Sequence, residues 1–335
     1  MAEAAATAPL PRPQAPGADW KAFLTRHGAL LALALLLLFN LAVTPNFATW
    51  QTLNVNLTQV CAIVIVGVGM TLVIATGGID LSVGSLMAIA GALAPLIFLE
   101  KLFPLPHPSV GVALAFVLPV LAAGAFGLFN GWLVTRLRIQ PIIATLVLFI
   151  AGRGIAQVLT NGNLQVFKNP EFQFIGLGRL FGIIPFQAVL MVVVVAAAAW
   201  MLRKTVFGRQ ILAVGGNERA ARLAGVPVAS VKRRVYLISG LLSGVAGLIV
   251  IARNSAADAN LVGLGMELDA IAAVAVGGTL LTGGRATVTG TLVGALIIQL
   301  VRYTLLANGV PDAAALLAKA AIIVGAVWLQ RQSQA

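Results

Sequence analysis

Charge is scarce in this chain. Asp, Glu, Lys and Arg make up only 10 % of its 335 residues, against about 25 % in a soluble domain. Too few charges remain to coat a water-facing globule. That excludes an ordinary soluble enzyme, a disordered protein and a small secreted scaffold. Cysteine is nearly absent: Cys61 stands alone inside an apolar run, so neither an intrachain disulfide nor a cysteine metal cluster is expected. The two histidines, His27 and His107, lie far apart, which argues against a His-rich metal site. No metal site is expected. No G-x-x-x-x-G-K-[ST], H-E-x-x-H or G-x-S-x-G pattern occurs, which removes a P-loop and two motif-based hydrolase readings. No enzymatic activity is expected of the chain itself. If ATP drives transport through it, another subunit must hydrolyse that ATP.

What is abundant is apolar. Residues AVILMFWYC form 60 % of the chain, and the mean hydropathy is +1.00. A helix crosses the hydrocarbon core with about 20 mostly apolar residues. Ten runs fit: 28–43, 58–76, 83–99, 110–135, 142–160, 183–202, 235–252, 266–282, 286–307 and 313–330. The expected fold is therefore all-α, a polytopic membrane protein of about ten transmembrane helices. The third and eighth runs are short and read as broken or re-entrant segments. Five plus five spans would make the halves inverted repeats. Against this, the Gly-rich breaks at 77–84 and 277–284 follow non-equivalent spans. With the N-terminus inside, Lys and Arg concentrate on the inner side, above all in 203–234, so both termini are expected in the cytoplasm. Residues 1–27, rich in Ala and Pro, read as a disordered cytoplasmic tail, 28–330 as one transmembrane domain, and 331–335 as a cytoplasmic C-terminus. Gly127/Gly131, Gly240/Gly244 and Gly290/Gly294 carry small residues four apart. Such pairs let helix backbones approach closely, within one chain or at a subunit interface.

Several polar segments interrupt this background. In Thr76–Gly84, Gly77 and Gly78 open backbone angles closed to other residues, and Asp80 and Ser82 sit in apolar surroundings. Either Asp80 caps a tight turn, or a broken helix here lines a polar pathway. Arg153, with Gln157 one turn later, lies half-way along its span and needs carbonyls, a carboxylate or water. Asn130 and Gln299 pose the same question. Glu267 and Asp269 begin span eight, where acidic groups suit the helix dipole. With Asp258 and Asn260 they alternatively form an outer mouth. Gly277, Gly278, Gly283 and Gly284 mark a second flexible zone, and Gly84 completes the first. Asn217, Glu218 and the run to Gly225 predict a short capped helix over 217–225. It is either an interfacial helix on anionic lipid or a docking knob for a cytoplasmic partner.

Three stretches carry a family resemblance: ATGGIDLSVGS at 75–85, RAARLAGV at 219–226 and ELDAIAAVAVGGTLLTGGRATVTGTLVGAL at 267–296. Together they resemble the permease subunits of bacterial monosaccharide ABC importers of the ribose, xylose, arabinose and galactofuranose type. Branched-chain amino-acid permeases are more distant. Arg138–Pro141, Ala144–Leu146, Ala151–Gly154 and Ala257–Asn260 look most like a galactofuranose permease. The resemblance implies an inner-membrane subunit that binds no cofactor, with ATP and Mg held by a partner ATPase bearing two nucleotide sites. A second permease subunit, identical or paralogous, and a periplasmic sugar-binding protein complete the assembly. Besides membrane lipid no other partner is implied, and no nucleic acid. Asn217, Glu218, Arg219, Arg222, Leu223 and Gly225 then become the ATPase docking residues. Asp80, Ser82, Asn130, Arg153 and Gln157 become the pathway candidates. An ATP-independent secondary sugar transporter is the alternative.

Overall fold

The computed structural model describes residues 20–105 and 107–332. Residues 1–19 and 333–335, parts of the two terminal segments named above, lie outside the described residues. Thirteen helices form among the described residues. They are α1 (Trp20–Val43), α2 (Trp50–Ala75), α3 (Val83–Phe98), α4 (Pro108–Arg136), α5 (Pro141–Thr160), α6 (Pro170–Leu177), α7 (Phe186–Lys204), α8 (Val206–Gly216), α9 (Glu218–Leu223), α10 (Val228–Asn254), α11 (Met266–Val276), α12 (Val288–Ala307) and α13 (Asp312–Gln332). At one end of the bundle β1 (Gln165–Val166) pairs antiparallel with β4 (Ala256–Ala257), and β2 (Arg179–Leu180) with β3 (Ile184–Pro185). Helices α8 and α9 lie at the opposite end.

Each of the ten apolar runs became a helix. Six are long and apolar enough to cross a membrane: α2, α4, α5, α7, α10 and α12. The run 266–282 is not one span. Gly277 closes α11 after eleven residues, which reach about 16 Å against a hydrocarbon core of about 30 Å. Helix α3 has sixteen residues, about 24 Å, so both short runs are short helices. The tail reading of 1–27 is corrected at its end, because α1 begins at Trp20. Hydropathy marks where an apolar run starts, whereas the helical backbone starts two turns earlier. Helices α6 and α8 had no counterpart in the sequence reading.

Helix α2 is the central column. All sixteen residues from Val60 to Ala75 are buried, as expected of a helix apolar on every side. It runs antiparallel to α10, with Gly69 against Ser239 and Thr58 O accepting from Arg253 Nη1. The glycine pairs pack inside the chain. Gly127 abuts Gly240 and the Tyr236 carbonyl, Gly244 abuts Val120 and Ala123, and Gly290 and Gly294 abut Gly277 and Ala273.

The packing of α2–α5 maps onto that of α10–α13, whereas α1 and α7 do not exchange: α7 packs on α2 and α12, and α1 on α12, without comparable packing of α1 on α10 or of α7 on α4. Helix α4 packs on α10 as α12 packs on α2. Helix α3 lies against α4 and α5 as α11 lies against α12 and α13. The true counterpart of the break at 76–82 is therefore the loop 255–265, not the glycines at 277–284. This supports an inverted repeat over four helices of each half, with α1 and α7 outside it. Outward-facing Leu35, Leu38, Val117, Ile150, Val158 and Trp200 leave the bundle's flank apolar, a surface made for lipid rather than water.

Candidate functional site

The two short helices start face to face. A Cβ on Gly84, in the first turn of α3, would meet the Gly263 carbonyl and Glu267 Oε2. A Cβ on Gly263 would meet Gly84 O in turn, and Gly263 has φ +71°, a left-handed angle that favours glycine. Gly84 is thus a crossing point rather than a break.

The chain before α3 is closed by a buried polar knot. Asp80 Oδ1 accepts from Ser82 N (3.0 Å) and Ser82 Oγ (2.6 Å), and Asp80 Oδ2 accepts from Ser239 Oγ of α10 (2.8 Å). Asn130 Nδ2 of α4 donates to Ser82 Oγ at 2.8 Å. Thr145 of α5 takes the Leu81 N–H, and Ser85 Oγ donates to Leu148 O. Asp80, Ser82 and Asn130 are fully buried. The knot joins four elements at the point where backbone hydrogen bonding stops, which a buried break requires.

The start of α11 is held differently. Arg153 Nη1 of α5, half-buried, donates to Ala259 O (2.9 Å) and Val262 O (2.6 Å). Gln157 Nε2 donates to Asn260 Oδ1 at 2.7 Å, and Asp258 Oδ1 takes the Asn260 N–H. Asn260 is exposed and Asp258 half-buried. Glu267 and Asp269 do not form an open rim, which corrects that expectation. They are buried, at 6 % and 9 % exposure, because loop 255–265 turns into the protein and α11 begins inside it. Glu267 Oε2 has no hydrogen-bond partner among the described residues.

The five residues read as pathway candidates therefore divide between two places. Asp80, Ser82 and Asn130 share the buried knot. Arg153 and Gln157 clamp the half-open loop before α11. Ser239 was missed, since a serine in an apolar helix carries no signal until the fold sets it beside Asp80. Gln299 bonds Gln59 Oε1 at 2.6 Å and stands apart from both.

The two glycine zones meet. Gly284 N donates to Ala75 O, and Gly283 lies against Gly77 and Gly215 of α8. Gly78 faces Tyr236, and Gly278 follows the Gly277 cap. Beside them stands α9. Asn217 Oδ1 caps it through Ala220 N, and Gly225 (φ +81°) ends it, with Gly225 N bonded to Arg222 O and Val226 N to Ala221 O. That is a Schellman ending. Glu218 binds Lys232 Nζ of α10 at 2.6 Å and Arg222 at 2.9 Å. The Lys232 hydrogen bond holds its carboxyl below the ordinary carboxylate value. Arg219 is exposed. Leu223 projects at 91 % exposure, an apolar tip on a short, braced helix.

An apolar-flanked helical bundle with two short helices meeting inside it defines a multi-pass membrane protein of transporter type. The chain belongs to the family described as branched-chain amino acid transport system / permease component, whose model matches residues 52–327. It is 42 % identical to the ribose import permease protein RbsC of Escherichia coli (strain K12) over 94 % of this chain and 96 % of that protein. It is 41 % identical to the galactofuranose transporter permease protein YtfT of the same organism, over 90 % and 89 %. With the L-arabinose ABC transporter permease protein AraH of Azospirillum brasilense the identity is 37 %, over 94 % and 89 %. No solved structure matches the chain.

Proposed function

We propose that the chain is the membrane permease subunit of an ABC importer for a monosaccharide. The observation that carries this reading is near-full-length similarity, about equal, to permeases named for ribose and for galactofuranose. The sugar is accordingly given as a class. On this reading the α8–α9 end faces the cytoplasm of a bacterial inner membrane, as do both termini. A separate ATPase with two nucleotide sites holds ATP and Mg and docks on α9, whose exposed Leu223 and flanking Arg219 and Arg222 suit a protein contact. A periplasmic binding protein delivers sugar at the β1–β4 end, beside Asp258 and Asn260. A second permease, identical or paralogous, shares the pathway.

A neutral sugar needs hydrogen-bond partners rather than a counter-ion. Arg153, Gln157 and Asn260 are half-buried or exposed, so a solute can reach them and exchange for the bonds they make to one another and to the loop. They are the proposed solute contacts. Asp80, Ser82 and Asn130 occupy one another, and their proposed role is to hold the start of α3. Alternating access then works by differential contacts in two states, with the loop 255–265 as the movable element.

Uptake into proteoliposomes tests this. The chain is reconstituted with its ATPase and binding protein, ATP inside, and offered labelled ribose, galactofuranose and arabinose. Uptake of one sugar that requires all three components supports the reading. Uptake by the chain alone, indifferent to ATP, overturns it in favour of a secondary transporter. Glu218→Lys should leave ATP hydrolysis running without uptake; coupled uptake in that variant removes α9 from the docking role.

A further inference from the structure

A cavity of about 700 Å³ opens at the α8–α9 end, between the α4–α5 connection, α9 and the first turn of α10. Its charged lining is Arg138, Arg222, Lys232 and Arg233 against one carboxylate, Glu218. Glu218 is already engaged by Lys232 and Arg222. Arg138 and Arg233 are exposed and have no carboxylate partner among the described residues. Ala229 and Ser230 bring first-turn backbone of the 27-residue α10 to the same wall, where N–H groups and the helix dipole favour an anion.

A second hollow adjoins it. Ala125, Leu128, Phe129 and Trp132 of α4 form an open apolar groove of about 530 Å³, and Arg233 lines both hollows. Phe129 and Trp132 stack at 5.9 Å and 20°, which gives the groove a flat aromatic floor. Gly131 lets the Arg233 backbone come against α4, and Arg233, whose Nε donates to Ala229 O at 3.3 Å, borders both groove and cavity. A soluble anion has no use for the groove, and a neutral lipid has none for the arginines.

We propose that these two hollows form one site for an anionic phospholipid. The phosphate-bearing head lies among Arg138, Arg233 and the start of α10, and an acyl chain lies along Ala125, Leu128, Phe129 and Trp132. Basic recesses beside membrane helices recognise acidic head groups in this way. The site does not depend on which sugar is carried, but its cavity shares Glu218 and Arg222 with the helix proposed to dock the ATPase.

Trp132 supplies the readout. The full chain with Trp20, Trp50, Trp200 and Trp328 changed to Phe is placed in phosphatidylcholine vesicles. Brominated phosphatidylglycerol or brominated phosphatidylcholine is then added in steps. Brominated phosphatidylglycerol should quench Trp132 at a several-fold lower mole fraction. Arg138→Gln and Arg233→Gln should each reduce that preference about fivefold, the equivalent of about 1 kcal/mol per basic residue. Equal quenching by both lipids means ordinary surrounding lipid and overturns the proposal. So does a preference that survives both substitutions. Loss of the preference on adding millimolar glycerol phosphate reassigns the cavity to a soluble anion, and loss on adding the ATPase alone reassigns it to that protein. If the four-Phe chain does not fold, native mass spectrometry of the unaltered chain, offered both lipids equally, decides. Retained phosphatidylglycerol that R138Q/R233Q loses supports the site, and equal retention refutes it.

Discussion

The beginnings of α3 and α11 occupy matching places in the two halves and touch at Gly84 and Gly263, yet their polar groups are satisfied in opposite ways. Before α3, both Asp80 oxygens accept from neighbours on the same turn and on α10, and no side chain of the knot reaches the surface. Before α11, a half-buried arginine reads two loop carbonyls and Glu267 Oε2 has no partner among the described residues. The knot is closed to solvent, with Asn130 Oδ1 its one side-chain atom lacking a partner among the described residues, whereas the loop before α11 is open at Asn260; a buried network that is nearly satisfied resists exchange of partners more than a half-open one. One backbone device is thus closed off from solvent in one half and half-open in the other, the half for which a movable role is proposed.

The crossing itself is the hardest place to alter. Gly263→Val and Gly84→Val should each cost about 4 kcal/mol or more, since a side chain would meet backbone that cannot yield. Neither should give a monodisperse peak on detergent size-exclusion chromatography. A well-behaved Gly84→Val protein would show that the two starts are not in contact. Next comes the anchor. Asp80→Ala strands the hydroxyls of Ser82 and Ser239 and should cost about 3 kcal/mol, read as a lower thermal midpoint in detergent. A midpoint unchanged within error would remove the knot's structural role.

The half-open side should respond in function as well as stability. Arg153→Leu gives up two charge-assisted hydrogen bonds to the loop, so uptake should fall on the order of tenfold or more and the thermal midpoint should fall by an amount corresponding to about 2 kcal/mol. Full transport by this variant takes Arg153 off the pathway. Gln157→Leu removes one neutral bond and should change the apparent affinity for sugar by about fivefold or less; a tenfold fall in midpoint-matched uptake would make it an equal of Arg153. The smallest effect lies at α9. The Glu218 carboxyl is held below its ordinary value of 4.5, chiefly by Lys232. Its contribution is therefore present above that value and lost as pH falls through the lower folded-state value. Because the group is substantially exposed, the loss is about 1 kcal/mol or less. The thermal midpoint should carry no Glu218 contribution to its pH dependence from pH 7 to 5 and lose one only in stronger acid, whereas Glu218→Gln should show no such acid step.

The helical class, the ten apolar runs and the two short helices were legible because hydropathy and run length are local properties. The α9 helix was legible for the same reason: Asn217, Gly225 and Pro227 are end signals within ten residues. What the sequence concealed is every relation across the chain. Glu267 and Asp269 read as a rim because acidic residues at a helix start usually meet water, and only the inward turn of 255–265 buries them. The glycines of 77–78 and 283–284 read as two zones, although Gly284 N bonds Ala75 O. Ser239 reads as filler until α10 lies antiparallel to α2.

Helix α10 has one further consequence. Its first turns carry Lys232, clasped to Glu218 on α9, and its middle carries Ser239, bonded to Asp80. Seven residues of one unbroken helix separate the two grips, about 10 Å of rod. Helix bonds stretch very little, so a force applied at the tip of Leu223 does not dissipate in a loose loop. The exposed tip and the polar heart of the bundle are thus tied to the same piece of helix.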